Sequence, residues 1–241
     1  FIKINMDLNE IDKKHLWHPL TQHQLHPEHL AIKSAKGALL YDYNGNQYID
    51  AIASWYTCMY GHCNEYITKK VYHQMQQLDH VVFTGFTHEP AVKLAAELIR
   101  ILPNNQQKLF FSDNGSTSVE VAIKMALQYH FNKGNKRKKL IAFEDGFHGD
   151  TFGAMSVSGL SIYNGPFKDF FLDVQRIPVP NKENIDQVKS TLIKLISENN
   201  IAAFVYEPLV QGAAAMKMHE AKHLDELLKI AKKNEVITIA D

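Results

Sequence analysis

The sequence predicts an α/β protein, a three-layer α/β/α domain built on a mostly parallel sheet and preceded by a small β-containing amino-terminal segment. Two patterns predict it. Beyond Pro103, short apolar runs alternate with longer stretches of helical periodicity, the arrangement of parallel strands joined by helices. Ahead of them, Asn44-Gly45 lies between two apolar-aromatic runs in residues 38–52, the strongest short-range signal for a hairpin. With 241 residues, 45% hydrophobic and 22% charged, the chain is long enough to bury a sizeable core.

In chain order, Met6 introduces a polar stretch, 7–15, that reads as a short helix, and the five residues before it read as leader or translated upstream sequence. The hairpin of 38–52 follows. From Asn64 onward Ile67, Val71, Met75 and Leu78 recur at three and four residues, and 90–102 repeats the spacing with Val92, Leu94, Ala95, Leu98 and Ile99. Both stretches predict amphipathic helices. Four strands are then expected, at 108–112, 140–143, 201–206 and 236–240, with helices at 116–131, 184–199 and 220–233. The basic run 133–139 is broken by Gly134 and Asn135 and reads as a solvated turn between helix and strand.

Charge and composition narrow the function classes. Lys plus Arg equals Asp plus Glu at 26 each, so no overall field favours nucleic acid or an anionic membrane, and a small-molecule substrate is expected. Two cysteines are too few for a disulfide framework and fit a reducing compartment, so a cytoplasmic location is expected. No stretch has the form of a secretory signal or the apolar length of a membrane span. Cys58 and Cys63 flank His62 without a second pair to complete a zinc site and read as buried thiols. Five histidines fall between His15 and His29 without a cysteine or acidic ligand set among them, so they read as surface residues and no metal is expected. There is no Gly-x-Ser-x-Gly elbow and no Walker loop, so serine hydrolase and nucleoside triphosphatase readings lack support.

Candidate chemistry gathers at predicted strand ends. Asp113-Asn-Gly-Ser-Thr-Ser follows one strand and opens a helix, where free N–H groups and the helix dipole would seat a phosphate at Gly115 and Ser116. A plain N-cap is the competing reading. Gly146-Phe-His-Gly-Asp-Thr follows the next strand and offers Phe147 for stacking on a flat ring, or for burial in a turn. His148 has no visible partner and reads as structural. Glu207 and Asp241 stand at two further carboxyl ends, on the edge of a parallel sheet where ligand sites form. A carboxylate such as Asp241 keeps a pyridinium nitrogen protonated, so the pairing of phosphate seat and acid points to pyridoxal phosphate, with Glu207 beside it. No lysine follows Asp241 in these residues, so the chain reads as the first part of an enzyme.

The segments Leu16-Trp-His-Pro, Ala53-Ser-Trp-Tyr, Thr87-His-Glu-Pro-Ala, Ser112-Asp-Asn-Gly-Ser, Lys124-Met-Ala-Leu-Gln-Tyr, Gly146-Phe-His-Gly-Asp-Thr-Phe-Gly-Ala-Met-Ser-Val, Glu207-Pro-Leu-Val-Gln-Gly-Ala and Ile239-Ala-Asp run through nearly the whole chain. Together they resemble the amino-terminal portion of a class III, fold-type I aminotransferase. The Trp-His-Pro, His-Gly-Asp-Thr and Pro-Leu-Val-Gln-Gly-Ala segments are similar, more narrowly, to the aminotransferases of biotin formation. The resemblance implies the pyridoxal-phosphate transferase fold, incomplete here, with 1–55 belonging to a small domain and 56–241 forming the first part of the large one. It implies phosphate binding at Gly115 and Ser116, Phe147 on the ring face, Asp241 at the ring nitrogen, and a substrate wall of Trp55, Tyr56 and Phe147. The family usually has tyrosine at Phe147 and often a second tryptophan at Tyr56.

The implied reaction moves an amino group from S-adenosylmethionine to 8-amino-7-oxononanoate, in a homodimer when full length. The Schiff-base lysine is implied to lie outside these residues, which alone would be inactive. Alternatives that keep the fold are another class III omega-aminotransferase or lysine as the donor. A different class, a non-catalytic binding module retaining part of a cofactor site, is the remaining alternative.

Overall fold

The computed structural model describes residues 8–26, 28–198 and 200–241. The expected leader at 1–5, the start of the first helix and the end of the helix expected over 184–199 lie outside the described residues. The chain divides into two compact units, Phe1–Gln106 and Gln107–Asp241.

The first unit opens with α1 (Leu8–His15) and continues into an antiparallel sheet of β1 (Ile32–Lys36), β2 (Leu39–Asp42) and β3 (Gln47–Ile49) in that order. The expected hairpin is β2–β3, and Gly45 takes φ +86° in its turn, a conformation open to glycine without strain. Asp42 organises that turn. Its Oδ1 accepts the N–H of Asn44 and of Asn46, both at 2.8 Å, and its Oδ2 accepts the Asn46 amide at 2.8 Å. The Asn46 side chain is the chief cause that holds the Asp42 carboxyl below its ordinary value, against the opposing effect of burial. Strand β1 was not expected, because Lys33, Ser34 and Lys36 dilute its apolar signal.

After a short left-handed turn, α2 (Ala53–Tyr56), the two expected helices form as α3 (Glu65–Gln77) and α4 (Glu89–Ile101). Asn64 caps α3 by accepting the N–H of Tyr66 and Ile67, and Pro90 sits in the first turn of α4, where its missing N–H costs nothing. The apolar stripes are present but uncovered: α3 buries none of its residues, and Ile67, Val71, Met75, Val92 and Leu94 are exposed. The thiols also differ from expectation. Cys63 is exposed and Cys58 only half-buried, because both lie in the irregular stretch around α2 and the turn before α3, outside any packed layer.

The second unit is the three-layer domain. α5 (Gly115–Asn132) leads into β4 (Lys139–Phe143), followed by α6 (Phe152–Val157), a 3-10 turn and β5 (Val174–Ile177). Then come α7 (Ile185–Glu198), β6 (Ile201–Tyr206), the two-residue strands β7 (Val210–Gln211) and β8 (Lys217–Met218), α8 (Ala221–Lys233) and β9 (Ile237–Ala240). The four long strands pair in parallel in the order β5-β4-β6-β9. Alternation sends Ile141, Phe143 and Phe204 to the face covered by α7 and α8, and Leu140, Ala142 and Val205 to the face covered by α5 and α6. Central strands covered on both faces need continuous apolar sequence, which is what 140–143 and 201–206 supply.

Two expectations fail here. Residues 108–112 form no strand among the described residues, because an apolar run only makes a strand where a neighbouring strand offers its ladder. Conversely β5 forms although Gln175 and Arg176 break its apolar run. It is an edge strand, so one neighbour suffices and polar side chains are tolerated.

Candidate active site

In the second unit the strands β4, β6 and β9 end on one edge, so the loop after β4, the loop after β6 and Asp241 emerge together. The amino terminus of α5 supplies the fourth part. Asn114 is its N-cap: Oδ1 accepts the Thr117 N–H at 2.9 Å while Thr117 Oγ1 accepts the Asn114 N–H at 3.2 Å. This cap satisfies Thr117 and leaves the N–H groups of Gly115 and Ser116 without a protein acceptor among the described residues, at the positive end of the helix dipole. The cap and the two free N–H groups are therefore two parts of one structure. Asn114→Ala is expected to lower the stability of the protein by about 1 kcal/mol, read as a lower midpoint in thermal or urea unfolding; an unchanged midpoint would remove Asn114 from this role.

The segment 146–151 joins that seat to the strand ends. The Ser116 hydroxyl donates to Thr151 Oγ1 and accepts the Thr151 N–H, both at 2.9 Å. Between them Gly149, at φ +117°, lies so close that a Cβ there would fall 2.5 Å from Ser116 Cβ. His148 is 3% exposed, and its ring Nδ1 lies 2.7 Å from Asp241 Oδ2. A carboxylate only accepts, so Nδ1 carries the proton and donates it. The expectation that His148 lacks a partner is corrected: Asp241, 93 positions away, is its partner. The His148 N–H donates to Ser158 Oγ at 2.9 Å, and Arg176 anchors the same turn by donating to the carbonyls of Ser156 and Ser158.

Burial is distributed differently from one of the two readings of this loop. Phe147 is 47% exposed and it is the histidine that is buried, which its imidazole tolerates because a carboxylate satisfies it. Glu207 follows β6 and accepts two main-chain N–H groups, from Phe147 at 3.3 Å on Oε2 and from Gly212 at 3.0 Å on Oε1. Its carboxylate ties the loop after β4 to the loop after β6.

His148 and Thr151 are separated by three peptide steps, no more than about 11 Å from Cα to Cα. The structure therefore holds Gly115, Ser116 and Asp241 on a single short segment at one edge of the sheet. The signal for His148 was present in the glycine after it, Gly149, which permits the close approach to Ser116. Chemically the edge offers a fixed carboxylate, a helix end with free N–H groups and an exposed aromatic ring.

Trp55 and Tyr56 belong to the first unit and are described within it. They are 64% and 60% exposed and lie in the left-handed turn α2, with φ +59° and +70°. Asp50 supports that turn by accepting the Ser54 N–H at 2.7 Å and its hydroxyl at 3.0 Å, and pairs with His62 Nε2 at 2.7 Å. The His62 ring, ahead of the opposing effect of burial and the contacts from Ser54, holds the Asp50 carboxyl below its ordinary value.

Comparison with known proteins agrees with this fold. The family model for aminotransferase class-III matches residues 20–241. The adenosylmethionine-8-amino-7-oxononanoate aminotransferase of Synechococcus elongatus is 41% identical over 94% of this chain and 55% of its own length. The crystal structure of the enzyme of that name from Methanocaldococcus jannaschii superposes with a TM-score of 0.89 at 33% identity, over 97% of this chain and 54% of that one. The omega transaminase from Pseudomonas jessenii in complex with PMP gives 0.87 at 27% identity, over 98% and 56%. The chain thus spans about half the length of these relatives.

Proposed function

This chain belongs to the class-III aminotransferase family, and on that premise we propose that the protein transfers an amino group from S-adenosylmethionine to 8-amino-7-oxononanoate, giving 7,8-diaminononanoate, with pyridoxal phosphate as cofactor. The observation that carries the cofactor is the segment 148–151, which pairs with Asp241 at one end and with Ser116 at the other. The residues fit the group. The Gly149 position, where no side chain fits, leaves backbone close to Ser116, and the free N–H groups of α5 suit a phosphate dianion. The acceptor and donor rest on the 41% identical relative of that name.

When bound, pyridoxal phosphate acts as an electron sink for the carbon that bears the substrate amino group. Asp241 would hold the proton on the ring nitrogen, and His148, by donating to Oδ2, fixes the position of that carboxylate. Gly115 and Ser116 hold the phosphate. Phe147 would pack on one ring face and exclude water there, while Glu207 fixes the Phe147 main chain. Trp55 and Tyr56 are assigned to substrate contacts by the family resemblance alone. A lysine that moves the proton on the substrate carbon is supplied by sequence outside these 241 residues, which are expected to be inactive alone. In the full-length enzyme 1–55 contributes to a small domain and 56–241 begins the large one, and a second copy covers the exposed apolar stripes of α3 and α4 in a homodimer.

The test assays the full-length protein for 7,8-diaminononanoate by mass spectrometry with S-adenosylmethionine, lysine or a simple ω-amine as donor. Product with S-adenosylmethionine alone supports the reading. Failure to aminate 8-amino-7-oxononanoate with any donor, alongside turnover of other ω-amines, would transfer the protein to the general omega-transaminases that its fold also matches.

A further inference from the structure

The histidine-rich stretch between α1 and β1 is used by nothing described above. Its four histidines, with His15 at the end of α1, read from sequence as surface residues because no cysteine or acidic ligand set accompanies them. In the structure the acid comes from the helix before them. Asp12, on α1, places both carboxylate oxygens 2.9 Å from His18 Nε2, and its Oδ2 lies 3.3 Å from His29 Nδ1. One ligand atom from each of the three residues falls within 4.8 Å of the others.

Three observations mark this as more than an ion pair. Both ring nitrogens of His29 are buried, and neither makes a hydrogen bond among the described residues. The His18 and His29 rings stack with centroids 3.7 Å apart at 18°, so both imidazoles stand together beside the Asp12 carboxylate. The two separations to the carboxylate, 2.9 and 3.3 Å, are near the roughly 3.3 Å at which ligands bound at about 2.0–2.2 Å stand from one another around a tetrahedral ion. His23 plays a different part. Its Nε2 accepts the His18 N–H at 3.1 Å, and its ring meets those of His18 and His29 edge-on, so it props the loop that carries the ligands.

We propose that Asp12, His18 and His29 form a binding site for one divalent transition-metal ion of the zinc type, with solvent in the fourth position. Two imidazoles and a carboxylate suit such an ion and not calcium or magnesium, which take oxygen ligands. The ion would clip the end of α1 to the segment that enters β1. Binding requires the stacked rings to open about their Cβ–Cγ bonds until each lone pair, which lies in the ring plane, points at the ion.

Tag-free, metal-stripped full-length protein is titrated with Co²⁺ and the visible absorption of a four-coordinate ion is followed, with Zn²⁺ added afterwards as competitor. One Co²⁺ bound per chain and displaced by Zn²⁺ is expected, with affinity falling more than about tenfold in His18→Gln and in His29→Gln. His26→Gln, at an exposed histidine of the same stretch, is expected to leave binding unchanged. Circular dichroism checks that each variant folds. Should either cluster variant unfold, the imidazole NMR signals of His18 and His29 in the unaltered protein are followed during Zn²⁺ addition, where saturating shifts at one equivalent support the site. Absence of stoichiometric binding, signals that do not move, or affinity that survives in His29→Gln overturns the proposal.

Discussion

Asp241→Ala in the full-length protein is expected to cut kcat/KM for amino transfer by roughly a hundredfold to a thousandfold, the cost of removing one fixed charge from the group that stabilises a reacting centre. The carboxylate is the only acid the described structure fixes at this edge by a hydrogen bond from a buried ring, 2.7 Å long. Alanine also leaves His148 Nδ1 buried without an acceptor, at about 1–3 kcal/mol of stability. The two losses are separable. Urea unfolding measures the second, and kinetics at a temperature where the variant remains folded measure the first. Activity within a few fold of the unaltered enzyme would detach Asp241 from the chemistry and with it the assignment of the ring nitrogen.

Gly149→Ala is expected to be the most damaging small substitution in the second unit. The added Cβ would fall 2.5 Å from Ser116 Cβ and Oγ and 2.8 Å from Ser116 Cα, on a backbone at φ +117°. No rotamer change relieves contact with a Cα. Strain and overpacking together cost about 2–5 kcal/mol. The chain can respond by moving α5 away, which breaks the Ser116–Thr151 pair, or by moving 148–151, which pulls His148 from Asp241. Either response separates the two halves of the site. The expected outcome is a lower unfolding midpoint together with loss of retained pyridoxal phosphate, measured by its absorbance after desalting. A Gly149→Ala protein with native midpoint and full cofactor content would contradict this account of the loop.

Much of the second unit was legible because the information is local. Helix α5 announces itself by Asn114 and the apolar spacing of Val119, Ala122, Ile123 and Ala126, and β6 by six residues without a charge. The amphipathic stripes of α3 and α4 were equally plain, but periodicity says which face is apolar and nothing about what covers it. Strand β5 shows the limit from the other side. Its sequence, Val-Gln-Arg-Ile, has no strand signal of its own, and it exists because β4 lends it a ladder.

The candidate site divides the same way. Gly115, Ser116, Phe147, Glu207 and Asp241 could be picked out as residues at strand ends and a helix start, since each belongs to a short motif whose chemistry is written in adjacent letters. That His148 serves Asp241, that Thr151 serves Ser116 and that Asp12 approaches His29 could not. By itself the sequence determined the α/β layering, most elements of both units and which side chains carry chemistry, because caps and hydrophobic periods act over one or two turns. Only the tertiary structure decided the pairings, because a hydrogen bond across 93 positions depends on how four parallel strands stack and where their ends emerge, not on anything the intervening residues encode locally.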